Sequence, residues 1–486
     1  MKRNRKTRSK DGTLKQDAMV TTADRLDGYV EAYGKMRAEA NARQPLWLQQ
    51  LREDAWTRFS AKGFPTTHDE DWRFTNLGVL ARTPFRRAAK VDAKYLTQEI
   101  DAFRLAGAAC QLVFVNGHFV PELSRLQNLP AGLEVCSLAQ ALNCGLEGSA
   151  PVGIEQHLGR YADVRRDVFT ALNTALWEDG AHMRIRRGAV IEHPAHLLYV
   201  SAGAGEQIMT HPRTLIIAEE HSHAAVVEDY VSIGDEAAFS NAVTELVAGE
   251  GAVVSHFLME RENLASFNVS TLRVEQARST NVASHSILLG GGLVRNNVHP
   301  VLAGEGAECL INGLFVGAGH QHLDNYMLVE HARPQGSSRQ FYNGILAGEA
   351  RGVFHGRIVV HKDAQKTDAK QTNRNLLLSD SARIDTKPQL EIHADDVKCT
   401  HGATIGQIEE EQLFYLRSRG FAAAEARNLL LYAFAAECLD RVHEPAARAF
   451  AEKLIRVRLH DLARHEHSAA GIPLPEEATQ NREEVG

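Results

Sequence analysis

A mainly β fold, built as a solenoid between helical regions at both ends, is what this chain predicts. Three observations carry that expectation. The stretch from 181 to 400 has almost no helical period. It holds ten short β-rich runs instead: AHLLYV (195–200), RTLIIAE (213–219), AVVEDYV (225–231), AVVSHFLM (252–259), TLRVEQ (271–276), HSILLG (285–290), CLINGLFV (309–316), YMLVEH (326–331), GRIVVH (356–361) and QLEIHA (389–394). The linkers are poor in the Asn-Gly and Asp-Gly pairs of tight hairpins. Many short strands leave a sandwich, a propeller or a β-solenoid. Related phrases recur without a fixed period: Gly249-Glu250-Gly251-Ala252, Gly304-Glu305-Gly306-Ala307 and Gly348-Glu349-Ala350. A solenoid tolerates that irregularity because each coil stacks only on its neighbours.

The flanks read as helical. Pro45 is placed like a first-turn proline, Trp47, Leu51, Ala55 and Phe59 recur at i+4, and Gly63 is a C-cap before Pro65. Gln111–Gly117 is a strand ending in an Asn-Gly turn, and Asp167–Trp177 is a helix ended by Asp179-Gly180. After Gly406, Glu409–Leu416 begins on acidic residues, as the helix dipole favours, and Gly420 caps it. Ala422–Arg441 presents an apolar face through Ala426, Leu430 and Phe434, with Leu431 beside it. Glu444–Arg464 is basic and amphipathic, so a small satellite bundle is expected. The expected organisation is a disordered basic tail at 1–19, a helical and α/β region at 20–178, the β core at 179–405, a helical domain at 406–466 and a disordered tail at 467–486.

Composition narrows the function. With 486 residues and 44% apolar content the chain can bury a sizeable core. Acidic residues outnumber basic ones, 61 to 54, and the net charge is −7. That argues against nucleic-acid binding, which wants a basic face. The first sixteen residues carry seven Lys or Arg against one Asp and, apart from Met1 and Leu14, nothing apolar, so they read as a solvated tail, and Met19 could equally be the start. No run approaches a membrane span, and no secretory signal is visible. The six cysteines, at 110, 136, 144, 309, 399 and 438, form no CxxC. A cytoplasmic protein with reduced thiols is expected.

The motifs are mostly negative. There is no P-loop, so no intrinsic nucleotide site is expected, and no GxSxG or HExxH. Gly290-Gly291-Gly292 lacks the P-loop lysine and helix and reads as a bend between strands. Of 23 histidines, 16 fall between 181 and 401. His221/His223, His320/His322 and Cys399/His401 have the i, i+2 spacing that puts two donors on one face of a strand. The first two pairs read as surface or turn histidines. Cys399/His401 joins a soft thiolate to an imidazole in ADDVKCTHGATIG, at the junction with the C-terminal helices. Two ligands do not close a four-coordinate site, so a second chain completes it or the binding is transient.

These residues carry a resemblance. The stretch KTDAKQTNRNLLLSDSARIDTKPQLEIHADDVKCTHGATIG (366–406), continued by EEEQLFYLRSRG (409–420), resembles the SufB/SufD family of iron–sulfur cluster assembly proteins. GFPTTHDEDWRFTNL (63–77), FTALNTALWEDG (169–180) and the run from INGLFV to LVEH (311–331) are similar to it as well. The DVKCxHGAT form resembles the SufD branch. The resemblance implies a right-handed parallel β-helix core with N-terminal and C-terminal helical regions. It implies a non-enzymatic scaffold subunit that helps a SufB-like partner assemble a transient iron–sulfur cluster or acquire iron. It implies His401 as a metal ligand, with Cys399 less secure, and docking of a SufC-like ABC ATPase on about 407–465. Two alternatives stand beside it. One is a stand-alone SufB-like scaffold. The other is a secreted-type β-helix carbohydrate lyase or hydrolase, against which the adjacent pairs Glu219/Glu220 and Asp395/Asp396 count, since neighbours on a strand face opposite ways.

Overall fold

The computed structural model describes residues 26–40, 44–146, 153–203 and 205–469. The expected tails lie outside these residues, except that 467–469 continue a helix.

The core is a parallel β-solenoid of about seven turns. Successive strands alternate between two sheets. One sheet runs through Ala181–Ile185, Arg213–Ala218, Ala238–Ala248, Phe267–Gln276, Leu293–Leu302, His322–His331, Arg351–Val360 and Arg383–Ile392. The other runs through Ala195–Ala202, His223–Ile233, Val253–Arg261, Asn281–Leu288, Glu308–Gly317, Ser337–Leu346, Asp368–Leu377 and Lys398–Gly406. Phe267 pairs with Leu293, whereas Arg351 pairs with Arg383, so coil length changes from turn to turn. That is why the sequence carries no fixed period. Up to the last coil, each sheet is largely buried on both faces, as parallel sheets are. Ile216, Val226, Val254, Leu272, Ile311, Phe315 and Phe354 fill the space between them.

The bends are where close approach selects glycine. Gly290 lies so near the Glu262 carbonyl that a Cβ would sit 2.3 Å from it, and Gly291 has φ +65°. The triplet is thus the bend between Asn281–Leu288 and Leu293–Leu302, as the sequence predicts.

The N-terminal region covers the first sheet. Helices Asp27–Ala40, Leu46–Lys62 and Val168–Leu176, with the short turn Glu70–Trp72, bring Tyr29, Phe59, Phe169 and Trp72 against Phe239, Val269 and Leu293. Asp167 caps the third helix through the amides of Phe169 and Thr170, as its side-chain type favours. Asn116-Gly117 forms the expected turn, both residues having positive φ.

The C-terminal helices differ from expectation. Ala423–Leu439 and Pro445–Ala469 pack on each other as a bundle would, but they are not a satellite. They lie on the second sheet, burying Leu431, Ala435, Ile455 and Leu459 against Phe257, Ile287, Leu314, Phe341 and Ile345. Each such Leu, Ile or Phe side chain is worth ~1.5–3 kcal/mol when fully buried. The buried face is also rotated: Leu431, Ala435 and Cys438 are buried, whereas Leu430 and Phe434 are only half-buried. The sheet sets that rotation. Asn312 donates to the Cys438 carbonyl at 2.9 Å, Asn343 donates to the Phe434 carbonyl at 2.8 Å, and Arg374 pairs with Glu437. Among the described residues, no helix is long and apolar enough to cross a membrane.

Candidate functional site

Strand alternation places the candidate donors. Cys399 and His401 share one face of Lys398–Gly406, aligned with Ala369 and Gln371 of the neighbouring strand. They end two columns that run along the inside of the solenoid. One column is Ala224, Val254, Val282, Cys309, Ser338, Ala369 and Cys399. The other is Val226, His256, Ser284, Ile311, Gln340, Gln371 and His401. Every earlier member of both columns is buried. At the last coil there is no further strand, so Cys399 is half-buried and His401 is exposed.

This exposure follows from how the solenoid ends. Arg383–Ile392, with ten residues, and Lys398–Gly406, with nine, each pair on one side only. Their outer backbone edges are unpaired and parallel to each other's sheet direction, a template for strand addition. Exposed apolar side chains follow in the same segment: Ile392, Ile405, Phe414, Tyr415 and Phe421. Phe414, on helix Glu410–Ser418, is 72% exposed, and Tyr415 beside it is exposed too.

The two donors are not equivalent. Burial pushes the Cys399 thiol up; the Ala369 amide opposes this, and Asp368 adds to it. A raised thiol offers less thiolate, the form that binds metal. His401 stands in solvent. Among the described residues, no group of three or more His, Cys, Asp or Glu is placed to hold a metal ion. Asp396 is engaged by Lys366, and Asp395 is exposed beside it.

The other histidine pairs do not converge. His221 sits in a turn at φ +56°, and both it and His223 are exposed. His320 lies in a turn, ion-paired to Glu349 at 3.4 Å, while His322 bonds Thr75 at 2.9 Å. The carboxylate pair Glu219/Glu220 is occupied by Arg184 and Arg187. From the sequence, none of Ile405, Phe414 and Tyr415 is singled out. The run LFYL (413–416) is the available signal for Phe414 and Tyr415, whereas Ile405 lies on a strand and has none.

A family model described as "SUF system FeS cluster assembly, SufBD core domain" matches residues 199–434, and one for the SufBD N-terminal region matches 24–197. This chain belongs to the SufBD family. An iron–sulfur cluster assembly SufBD family protein of Synechocystis is 34% identical over 417 residues, 84% of this chain and 90% of that protein. The iron–sulfur cluster assembly protein SufD of Escherichia coli is 34% identical over 409 residues, 84% of this chain and 91% of that protein. The chloroplastic protein ABCI7 of Arabidopsis thaliana is 27% identical over 449 residues, 91% and 92% of the two chains. The SufBD chain is thus an iron–sulfur cluster assembly subunit, and the carbohydrate-enzyme alternative is not favoured.

Proposed function

We propose that this SufBD-family chain is the SufD-type scaffold subunit of a cluster-building complex and lends His401 to a nascent iron–sulfur cluster held jointly with a SufB-like chain. The observation that carries this reading is the exposure of His401 at the end of an otherwise buried column, beside two unpaired strand edges. Its imidazole supplies one nitrogen ligand to iron. Cys399, half-buried with a raised pKa, is a second and weaker donor. The SufB-like chain supplies the remaining ligands, and its own strand edge completes the ladders of Arg383–Ile392 and Lys398–Gly406. A mixed, incomplete ligand set holds the cluster loosely enough to pass it on. The chain catalyses nothing itself. A SufC-like ATPase supplies the nucleotide chemistry and docks on 407–465, where Phe414 and Tyr415 offer exposed anchors. The setting is the cytoplasm, where thiols such as Cys399 stay reduced.

His401→Ala is expected to leave complex formation intact and to lower cluster assembly in cells, read as activity of an iron–sulfur reporter enzyme at equal expression. Normal reporter activity would remove His401 from the ligand set. Docking is best tested without deleting 407–465, since deletion bares the apolar face of the second sheet. Phe414→Asp is expected to abolish co-purification of the ATPase while leaving the melting temperature unchanged. Retained co-purification would displace the docking site from this helix.

A further inference from the structure

Arginines on the outer face of the first sheet are normally well satisfied. Arg213 donates to Glu245 at 2.6 Å and to Asn173 and Thr174 at 3.2 Å. Arg295 pairs with Asp324, donates to Asn297 at 2.8 Å, and lies 4.2 Å above the Trp72 ring. Arg273 sits between them on Phe267–Gln276 and makes no hydrogen bond or ion pair with any described residue. Its neighbours across the sheet have no capacity to spare. On one side Glu245 is filled by Arg213 and by the amides of Gly159, Tyr161 and Ala162. On the other, His299 donates to Glu330 at 2.7 Å. Glu330 in turn holds His361 at 3.1 Å and Arg166 at 3.4 Å. A guanidinium carries five N–H donors, and those of Arg273 face a cavity instead of protein acceptors.

Space lies in front of it. A cavity of about 210 Å³ is lined by Arg160, Tyr161, Arg166, Arg273, Glu275 and His299, among others. A water molecule occupies about 30 Å³, so the cavity has room for a polyatomic ligand. Asp163, which also lines it, is neutralised by Arg165 at 3.0 Å. Burial pushes the Glu275 carboxyl up, with Glu330 adding to this, so its negative charge is the least firmly held in the cavity. Burial likewise holds Arg273 below its usual range, although Asp167 and Glu330 attract it from a distance without bonding it.

We infer that this cavity is a binding site for a compact oxyanion of the phosphate class, with Arg273 at its floor and Arg160 and Arg166 at its rim. Planar guanidinium groups match phosphoryl oxygens two at a time, which is why three of them around one cavity select that chemistry. The site lies on the face covered by the N-terminal region, remote in sequence from Cys399 and His401, and does not depend on their role. The ligand is either a free phosphate or pyrophosphate, or the phosphoryl end of a small metabolite.

Calorimetric titration of the full chain with pyrophosphate, inorganic phosphate and glycerol phosphate at low salt tests this. Saturable binding of pyrophosphate or phosphate marks a free-anion site, and tighter binding of the ester marks a metabolite site; both support the inference. Arg273→Gln removes no bond present in the protein and is expected to weaken binding at least about tenfold. Arg166→Gln, at the exposed rim, is expected to weaken it about threefold. No binding of any probe, or undiminished binding in Arg273→Gln, overturns the inference. Should Arg273→Gln fail to fold, undiminished binding in an Arg160→Gln/Arg166→Gln double variant overturns it instead.

Discussion

The two ends of the solenoid are finished in opposite ways. At the N-terminal end each sheet stops on a short antiparallel strand: Leu133–Ser137 against Ala181–Ile185, and the two-residue His118–Phe119 against Cys110–Val115. Ile100, Val120 and Leu123 then close over Val113 and Leu198. At the C-terminal end two long strands stop with their edges bare, and the inner columns open to solvent. A finished edge resists further pairing; an unfinished one invites it. Stability is therefore expected to reside in the capped body and the proposed cluster role at the open coil, and substitutions should separate the two.

The largest effect expected is on the body, through pH. Burial holds His211 and His285 down at about 3, and His182, His299 and His331 at about 4. In the unfolded chain these groups titrate near ~6.5. Their folded values are depressed, so the stability tied to their neutral forms is fully present above about pH 6.5 and lost as pH falls toward 4. Each contributes on the order of 1 kcal/mol per pH unit across that window. Urea midpoints measured from pH 7.5 to 5 should fall steeply; a flat profile would mean these rings are not buried neutral. Glu245→Gln comes next. It strips the buried Arg213 of its counter-charge and weakens the acceptor for three amides, at a cost of ~3–5 kcal/mol by chemical denaturation. A loss below 1 kcal/mol would show that the body is not held this way. Asn343→Ala removes one side-chain bond to helix Ala423–Leu439 and should cost about 1 kcal/mol, with faster amide exchange confined to that helix. His401→Ala is the smallest, within ~0.5 kcal/mol because the ring is exposed. A large stability loss there would contradict the division between body and open coil.

Much of the solenoid was legible in the sequence. All ten runs read as strands overlap strands, because apolar residues on both faces of a parallel sheet give short unbroken apolar stretches. Ala181–Ile185, Ile208–Thr210 and Lys398–Gly406 were missed, as were Ala238–Ala248, Leu293–Leu302, Ser337–Leu346 and Asp368–Leu377. The last four carry polar residues whose partners come from elsewhere in the fold. Arg295 needs Asp324 and Trp72, Asn343 needs the Phe434 carbonyl, and Asn375 needs Asn373 and the Thr404 carbonyl. Such satisfaction is tertiary and leaves no local pattern. At the candidate site, the i, i+2 spacing of Cys399 and His401 announced a shared face. That this face continues the solenoid interior, and that the last coil leaves it open, depended on the strand count. Arg273 was invisible for the same reason: an arginine without partners reads like any other until its neighbours are placed.

The placing of the C-terminal helices has a mechanical meaning. A bundle on a hinge would swing when pulled and leave the body at rest. Here Asn312, Asn343 and Arg374 fasten one helix across three adjacent strands, each at its own height. A load applied to that helix is shared among those strands as shear, and the outermost of the three neighbours Lys398–Gly406 directly. The coil bearing His401 is thus one rung away from the handle.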